Sequence, residues 1–378
     1  MRIGIDARYA LRKTRRGIGN YIFNLLSEFK RLHLKDFTYC LYADRMADTG
    51  VMEYFHDGPF EMRILSAPNL ALWEQFALPI AARRDRLDVL HCPANIAPVV
   101  FKPCPIVTTI HDVIEFRRRE FGDIRLTLRH RISRFYRMGV LPRVTKVSDL
   151  IITVSEFSRR DIADVLGVPL GKIKVTYEAP VEIPASGRDY TKERPPGLKG
   201  DYIFALGAVD KRKNTAFLLN AYNGLPEAVK SRVSLVVAGV EKPNLFASLA
   251  GKGIHLYGYM PDEIVASLYR NALFFVYPSL YEGFGLPVLE AMRHGVPVLC
   301  SGTTAVGEVA GGAALVFDPT DITDLHNKML MLIENPALRQ ELVEKGNVHV
   351  TSFSWQRCAK ETLALYEQVG KSKRRNRE

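Results

Sequence analysis

The sequence predicts an α/β protein of two domains, each built on a parallel sheet. Three observations carry this prediction. Short apolar runs that read as strands buried on both faces, such as RIGID at 2–6, IVTTI at 106–110, LIITV at 150–154, YIFAL at 202–206 and SLVVA at 234–238, alternate with stretches whose apolar residues recur at helical spacing. The alternation breaks in a stretch holding Pro180, Pro184, Pro195 and Pro196, and restarts at Tyr202. The length of 378 residues suits two domains of about 150–200 residues each. The expected division is a first domain over 1–180, a linker over 181–200, a second domain over 201–352, a last helix over 353–370, and a basic tail over 371–378 without fixed structure.

Composition narrows the class. Hydrophobic residues make up 47% and charged residues 25%, the proportions of a globular enzyme. No apolar run approaches the roughly 18 residues of a membrane span. The N-terminus MRIGIDARYA enters a strand directly rather than a signal peptide, so a cytoplasmic location is expected. The five cysteines are scattered without metal spacing, which fits reduced thiols and no bound metal.

The net charge of +11 invites an anionic partner. No helix-turn-helix, zinc-finger spacing or aromatic-rich RNA motif accompanies it, so nucleic acid is not expected. The excess concentrates in Arg117–Lys146, where ten Lys or Arg stand against Glu120 and Asp123, and in the tail. Leu128, Ile132, Phe135 and Tyr136 share one expected helix face there, with arginines around them. That segment and the tail suit docking on an anionic membrane surface, or a plain solvated helix face.

In chain order, the first strand leads through Gly17-Ile18-Gly19 to a helix over about 20–31, a geometry that receives a diphosphate or simply makes a tight turn. Strands follow at 37–42 and 62–65, then a helix over 70–84 carrying Trp73, Glu74 and Gln75. A strand at 88–91 leads to Cys92-Pro93-Ala94-Asn95, and the strand at 106–110 places His111-Asp112 at its carboxyl end, where ligands of open parallel sheets bind. Ser155 caps a helix, and 172–177 is the last strand of the first half. In the second half, Asp210-Lys211-Arg212-Lys213-Asn214 sets three cations beyond a strand, suited to a pyrophosphate or to solvent. A short strand at 254–256 runs into Tyr257-Gly258-Tyr259-Met260-Pro261, and Asp262 caps the next helix, to 270. A short strand at 313–317 and helices at 322–334, 336–346 and 353–369 complete the chain.

The most informative stretch is 277–301, YPSLYEGFGLPVLEAMRHGVPVLCS. An apolar strand ends at Pro278-Ser279, Glu282-Gly283-Phe284-Gly285 forms a glycine loop, and Leu286-Pro287 opens a helix to 293. A glycine loop aimed at a helix N-terminus is a natural phosphate site. Glu282 in the loop and Glu290 on the helix suit the two ends of an extended ligand.

This stretch resembles the E-x7-E region of retaining glycosyltransferases of family 4, which have two facing Rossmann-like domains, the GT-B fold. The resemblance extends over nearly the whole chain. It implies that the last helix crosses back to the N-domain. It places Glu282 and His111 at the reacting sugar. Donor binding falls to Gly17, Gly19, Arg212, Lys213, Tyr259, Gly283, Phe284, Gly285, Leu286, Pro287 and Glu290, with Glu290 on the ribose and the loop around Tyr259 meeting the base by its backbone. Many relatives carry arginine where this chain has Ala208, and Arg212 is expected to replace that charge. Trp73, Glu74 and Asn95 are candidate acceptor contacts. The start MRIGIDAR with WEQ, HCP and HDV looks like bacterial transferases building O-antigen or capsule. The expected reaction is transfer of a hexose, mannose before rhamnose or glucose, from a GDP-sugar or other nucleoside diphosphate sugar to a lipid-linked or oligosaccharide acceptor at the inner membrane face. No metal or other cofactor is expected. Front-side attack and double displacement through Glu282 both stay open. A nucleotide-sugar epimerase or phosphorylase on the same scaffold, or a basic nucleic-acid-binding protein, are the rival readings.

Overall fold

A computed structural model describes residues 1–121, 128–181, 198 and 200–375. The chain divides into two compact units. The first takes in Met1–Arg118, Arg125–Glu178 and Ser354–Glu378; the second takes in Ala179–Phe353 with Arg119–Ile124. The expected linker falls almost wholly outside the described residues.

The sheet of the first unit contains β1 (Arg2–Asp6), β2 (Thr38–Ala43), β3 (Phe60–Ile64), β4 (Val89–Cys92), β5 (Ile106–Thr109), β6 (Leu150–Thr153) and β7 (Ile173–Val175). Their spatial order is β3-β2-β1-β4-β5-β6-β7, with every pairing parallel. The second sheet contains β8 (Asp201–Leu206), β9 (Val233–Ala238), β10 (Ile254–Leu256), β11 (Phe274–Tyr277), β12 (Val298–Ser301) and β13 (Leu315–Phe317). Its order is β10-β9-β8-β11-β12-β13, again all parallel. Strands β4, β5, β6, β11 and β12 are buried at every position, which is why they read as largely apolar runs. In both sheets the order reverses beside the first strand, between β1 and β4 and between β8 and β11. Such a reversal opens a crevice at the carboxyl ends of the strands.

The helix Trp355–Arg375 belongs to the first unit, as expected of a helix that returns there. It packs on the helix Ile18–Leu32 and on β4. Buried Tyr366 meets His91 Nδ1 at 2.6 Å, and His91 Nε2 meets Thr109 Oγ1 at 2.8 Å, tying helix, β4 and β5 together. Burial, with the nearby His111, pushes the His91 pKa down to about 3, so this imidazole is a neutral structural link.

Four local expectations are corrected. The helix 70–84 is interrupted: Leu70–Leu72 and Leu78–Arg84 flank a π-helical turn, Trp73–Ala77. Pro261, not Asp262, occupies the cap of Asp262–Arg270, so Asp262 sits in the first turn. The basic tail continues the last helix as far as Arg375, and 376–378 lie outside the described residues. The basic segment folds as Ile114–Phe121 and Leu128–Val147, with 122–127 outside the described residues. Several of its cations are spent internally: Arg117 pairs with Asp161 at 2.7 Å, and Arg134 and Arg137 both reach Glu115 at 3.2 Å. Phe135 is 69% exposed while its neighbour Tyr136 turns inward to Glu74, so those two do not share one environment.

Candidate active site

In the second unit the site is built where β8 and β11 end. Beyond β8, Lys211–Lys213 forms one tight turn, and Asp210 caps it by accepting from the Arg212 N–H at 3.0 Å. The same carboxylate grips the Arg212 guanidinium at 2.9 and 3.0 Å. Asn214 adopts a left-handed φ of 55° and donates to the Pro319 carbonyl, turning the chain into the helix Thr215–Asn223. The loop after β11 is stitched to this turn: Leu280 N–H donates to the Arg212 carbonyl at 2.7 Å.

That stitch brings Lys213 to Glu282. Lys213 Nζ donates to Glu282 Oε1 at 2.7 Å and to the Tyr277 hydroxyl at 2.6 Å. Tyr277 donates to the same Oε1 at 2.9 Å, and Ser279 does so at 2.6 Å. Three donors therefore converge on Oε1, while Oε2 takes no hydrogen bond among the described residues. Burial opposes ionisation of Glu282, but the Lys213 charge and the bonds from Lys213 and Ser279 outweigh it and hold the carboxyl below its ordinary range.

The glycine loop continues into the helix Leu286–Arg293, with Leu286 and Pro287 in its first turn. Gly285 caps it at φ 119°, a conformation that disfavours any side chain, and no side chain caps the first N–H groups. Gly283 precedes Phe284, whose ring is buried against Phe353 at 6.1 Å between centroids. Glu290 accepts from the Tyr269 hydroxyl at 3.3 Å. Burial dominates there, aided by Asp262, and the pKa of Glu290 is pushed up to about 6 against the opposing effects of Tyr269 and Lys213. Lys213 thus acts on both carboxylates of the E-x7-E stretch. Tyr259 is 69% exposed, in a loop fixed to the end of β9 by bonds from Gly239 N–H to Gly258 and from Val240 N–H to Tyr257.

The remaining candidates lie in the first unit. Gly17 caps the helix Ile18–Leu32 at φ 38° without side-chain help. Gly19 is required by packing, since a Cβ there would lie 2.8 Å from the Tyr9 carbonyl oxygen. His111 is buried and held on all sides. Its N–H donates to Asn95 Oδ1 at 2.8 Å, its carbonyl accepts from Ser158, and its ring meets the edge of Tyr21. Ring Nε2 lies 3.0 Å from the Pro93 carbonyl, so that nitrogen carries a hydrogen. Ring Nδ1 lies 3.4 Å from Glu178 Oε1.

Trp73 and Glu74 need correction as acceptor contacts, because both are interior. Glu74 Oε1 accepts from Arg8 at 2.9 Å and Oε2 accepts from Tyr136 at 2.9 Å, so both oxygens are engaged inside the fold. Trp73 lies beneath the Arg8 guanidinium, 3.8 Å from its ring centroid. Arg8 also clamps Asp6 with bonds of 2.9 and 2.7 Å. The sequence reading missed Tyr277, Ser279 and Tyr269 as partners of the two glutamates. Only the hydroxyls at the end of an apolar strand hinted at Tyr277 and Ser279.

Comparison with known proteins identifies the family. Residues 15–179 match the family described as Glycosyltransferase Family 4, and residues 188–349 match Glycosyl transferases group 1. O-antigen chain mannosyltransferase B of Escherichia coli is 34% identical over 278 residues, 69% of this chain and 70% of that protein. Serotype-specific mannosyltransferase WbdA of Escherichia coli is 28% identical over 274 residues, 68% of this chain but 32% of that longer protein. The sucrose-phosphate synthase structure from Thermosynechococcus elongatus aligns at TM-score 0.71 and 17% identity, covering 98% of this chain and 99% of that one. The two-unit α/β architecture is the GT-B fold, and the chain belongs to glycosyltransferase family 4 and is a glycosyltransferase.

Proposed function

We propose that this protein transfers mannose from a nucleoside diphosphate mannose, with GDP as the favoured carrier, to a lipid-linked or oligosaccharide acceptor in cell-surface polysaccharide synthesis, retaining the anomeric configuration. The observation that carries this reading is the Lys213–Tyr277–Ser279–Glu282 cluster beside the uncapped helix at Leu286. The mannosyltransferase names of the two Escherichia coli relatives support the choice of sugar.

In this reading Lys213, Arg212 and the first N–H groups of Leu286–Arg293 neutralise the diphosphate, which leaves with the bonding electrons. A metal ion is not required for that step. Glu290 accepts from the ribose hydroxyls. Glu282 presents Oε2 to the sugar and offsets positive charge as the glycosidic bond breaks. Three donors on Oε1 and the adjacent lysine make this carboxylate a poor nucleophile, which favours front-side attack. Detection by mass spectrometry of a mannosyl adduct on Glu282 would count against that path.

A thermal-shift panel of GDP, UDP, dTDP and ADP tests the donor. GDP is expected to raise the melting temperature most, and Lys213→Ala to abolish that rise. Transfer measured with and without EDTA is expected to be equal, and loss of activity on chelation would refute a metal-independent step. Donor turnover that needs no acceptor would favour an epimerase. The exposed cations Arg131, Arg143 and Lys146 remain candidates for an anionic membrane surface. Among the described residues no helix is long and apolar enough to cross a membrane.

A further inference from the structure

Three strand ends of the first unit meet at His111. His111 follows β5, Glu178 follows β7 and Pro93 follows β4. His111 is 7% exposed and Glu178 6%. Among the described residues His111 is the one ion-pair partner of Glu178, with ring Nδ1 3.4 Å from Oε1. The imidazole is fixed on its other sides. Nε2 lies 3.0 Å from the Pro93 carbonyl, and the Tyr21 ring stands edge-on with centroids 4.7 Å apart. Asn95 and Ser158 hold the main chain of His111.

These contacts leave one proton to account for. A carbonyl only accepts, so Nε2 carries a hydrogen. In a neutral ring Nδ1 would then hold a lone pair, set against a carboxylate oxygen at 3.4 Å. Two buried acceptors that close repel, and one proton between them turns the repulsion into a charge-assisted contact. The titratable groups packed around the pair do not exchange a proton near neutrality. Burial, with the nearby His111, pushes His91 on β4 down to about 3. Burial pushes Cys358 on the last helix up to about 12, and Tyr21 on the helix Ile18–Leu32 well above its ordinary value. Asn95, Ser158 and Pro93 carry no charge, so the proton belongs to His111 and Glu178 alone.

We propose that Glu178 is a positioning residue for His111: the buried pair holds one proton between Nδ1 and Oε1, and that proton keeps the imidazole in place against the Pro93 carbonyl. The inference deepens the proposed transfer reaction and rests on His111 standing at the reacting sugar. As pH rises the proton leaves, Nδ1 and the carboxylate repel, and the ring loses its fixed place. In Glu178→Gln an amide N–H donates to the bare Nδ1, so a neutral ring is held without an added proton.

Nitrogen-15 NMR on the intact, histidine-labelled protein tests the pair, with His111 assigned by the signal that His111→Gln lacks. Nδ1 of His111 is expected to give up its proton at a higher pH in wild type than in Glu178→Gln, over a titration from about pH 5 to about pH 9. In transfer assays the wild-type kcat is expected to fall with rising pH as that proton is lost, and Glu178→Gln to lack this fall. Glu178→Ala is expected to lower kcat on the order of 10²-fold by misplacing the ring, and Glu178→Gln to recover most of that loss at neutral pH. The same Nδ1 titration in wild type and Glu178→Gln, or the same pH profile of kcat, would overturn the assignment. If Glu178→Ala does not fold, Glu178→Gln decides by both measurements. A wild type that transfers no mannose contradicts the proposed function instead, and the NMR titration still tests the pair.

Discussion

Lys213 is the residue on which the proposed donor site turns. Its ammonium holds Glu282 ionised and contributes to the balance at Glu290. Lys213→Ala is expected to lower kcat by about 10²–10³-fold, the usual loss of one preorganised charge partner, and to lower the melting temperature modestly, because Glu282 keeps only its bonds to Tyr277 and Ser279. Steady-state kinetics beside a thermal melt checks both. Glu290 gives a pH prediction. Its folded pKa, pushed up to about 6, exceeds the unfolded value of 4.5, so ionising it in the fold costs free energy. That cost is absent below the unfolded pKa and fully present above the folded one. Glu290→Gln is therefore expected to gain stability relative to wild type only as pH rises through that window. In the proposed donor site nucleotide affinity is expected to behave oppositely, because the ionised form is the better acceptor for the ribose hydroxyls. It is expected to rise with pH through about 6 in wild type and to stay flat in Glu290→Gln, by titration calorimetry across that range. Glu74 is a different kind of carboxylate. Glu74→Ala leaves Asp6 to neutralise the buried Arg8 but removes the bonds from Arg8 and Tyr136, and is expected to cost roughly 1–3 kcal/mol in denaturant unfolding without a specific change in donor KM.

At the scale of an element, the turn into Leu286–Arg293 shows how a glycine shapes the proposed anion site. A Cβ on Gly285 would meet Val306 at ordinary contact distances of 3.5 Å and more, so space is not the restriction. The restriction is φ 119°, which costs a residue with a side chain about 1–3 kcal/mol. Gly285→Ala is expected to weaken the GDP-induced thermal shift, because the first N–H groups of the helix move when the backbone relaxes. An unchanged shift would mean that those groups do not face the ligand. Gly19 differs in kind, since the Tyr9 carbonyl stands where its Cβ would go. The π-turn Trp73–Ala77 is an element that periodicity did not reveal. One extra residue in a helical turn barely disturbs the spacing of apolar positions, yet it accompanies the inward turn of Trp73, Glu74 and Gln75 together.

For the molecule as a whole, the return of the last helix closes the first unit with residues from the far end of the chain. Tyr366→Phe removes the buried bond to His91 and is expected to destabilise by about 1 kcal/mol, read from denaturant midpoints. By itself the sequence determined the alternation of strands and helices, the break between units, the glycine loops and the family motif. Those features are local: strands buried on both faces are largely apolar, and turns favour glycine or proline where they stand. Only the tertiary structure decided which charges meet. Lys213 and Glu282 are 69 residues apart and are joined because β8 and β11 lie side by side where the strand order reverses. The sequence placed Trp73 and Glu74 on a helix but did not say that both turn inward, and Arg8, from the first strand's loop, settled that by pairing with Glu74 and lying over Trp73. Short-range preferences act over about four residues along the chain, whereas ion pairs and cavities arise from strand order and helix packing that bring distant segments together.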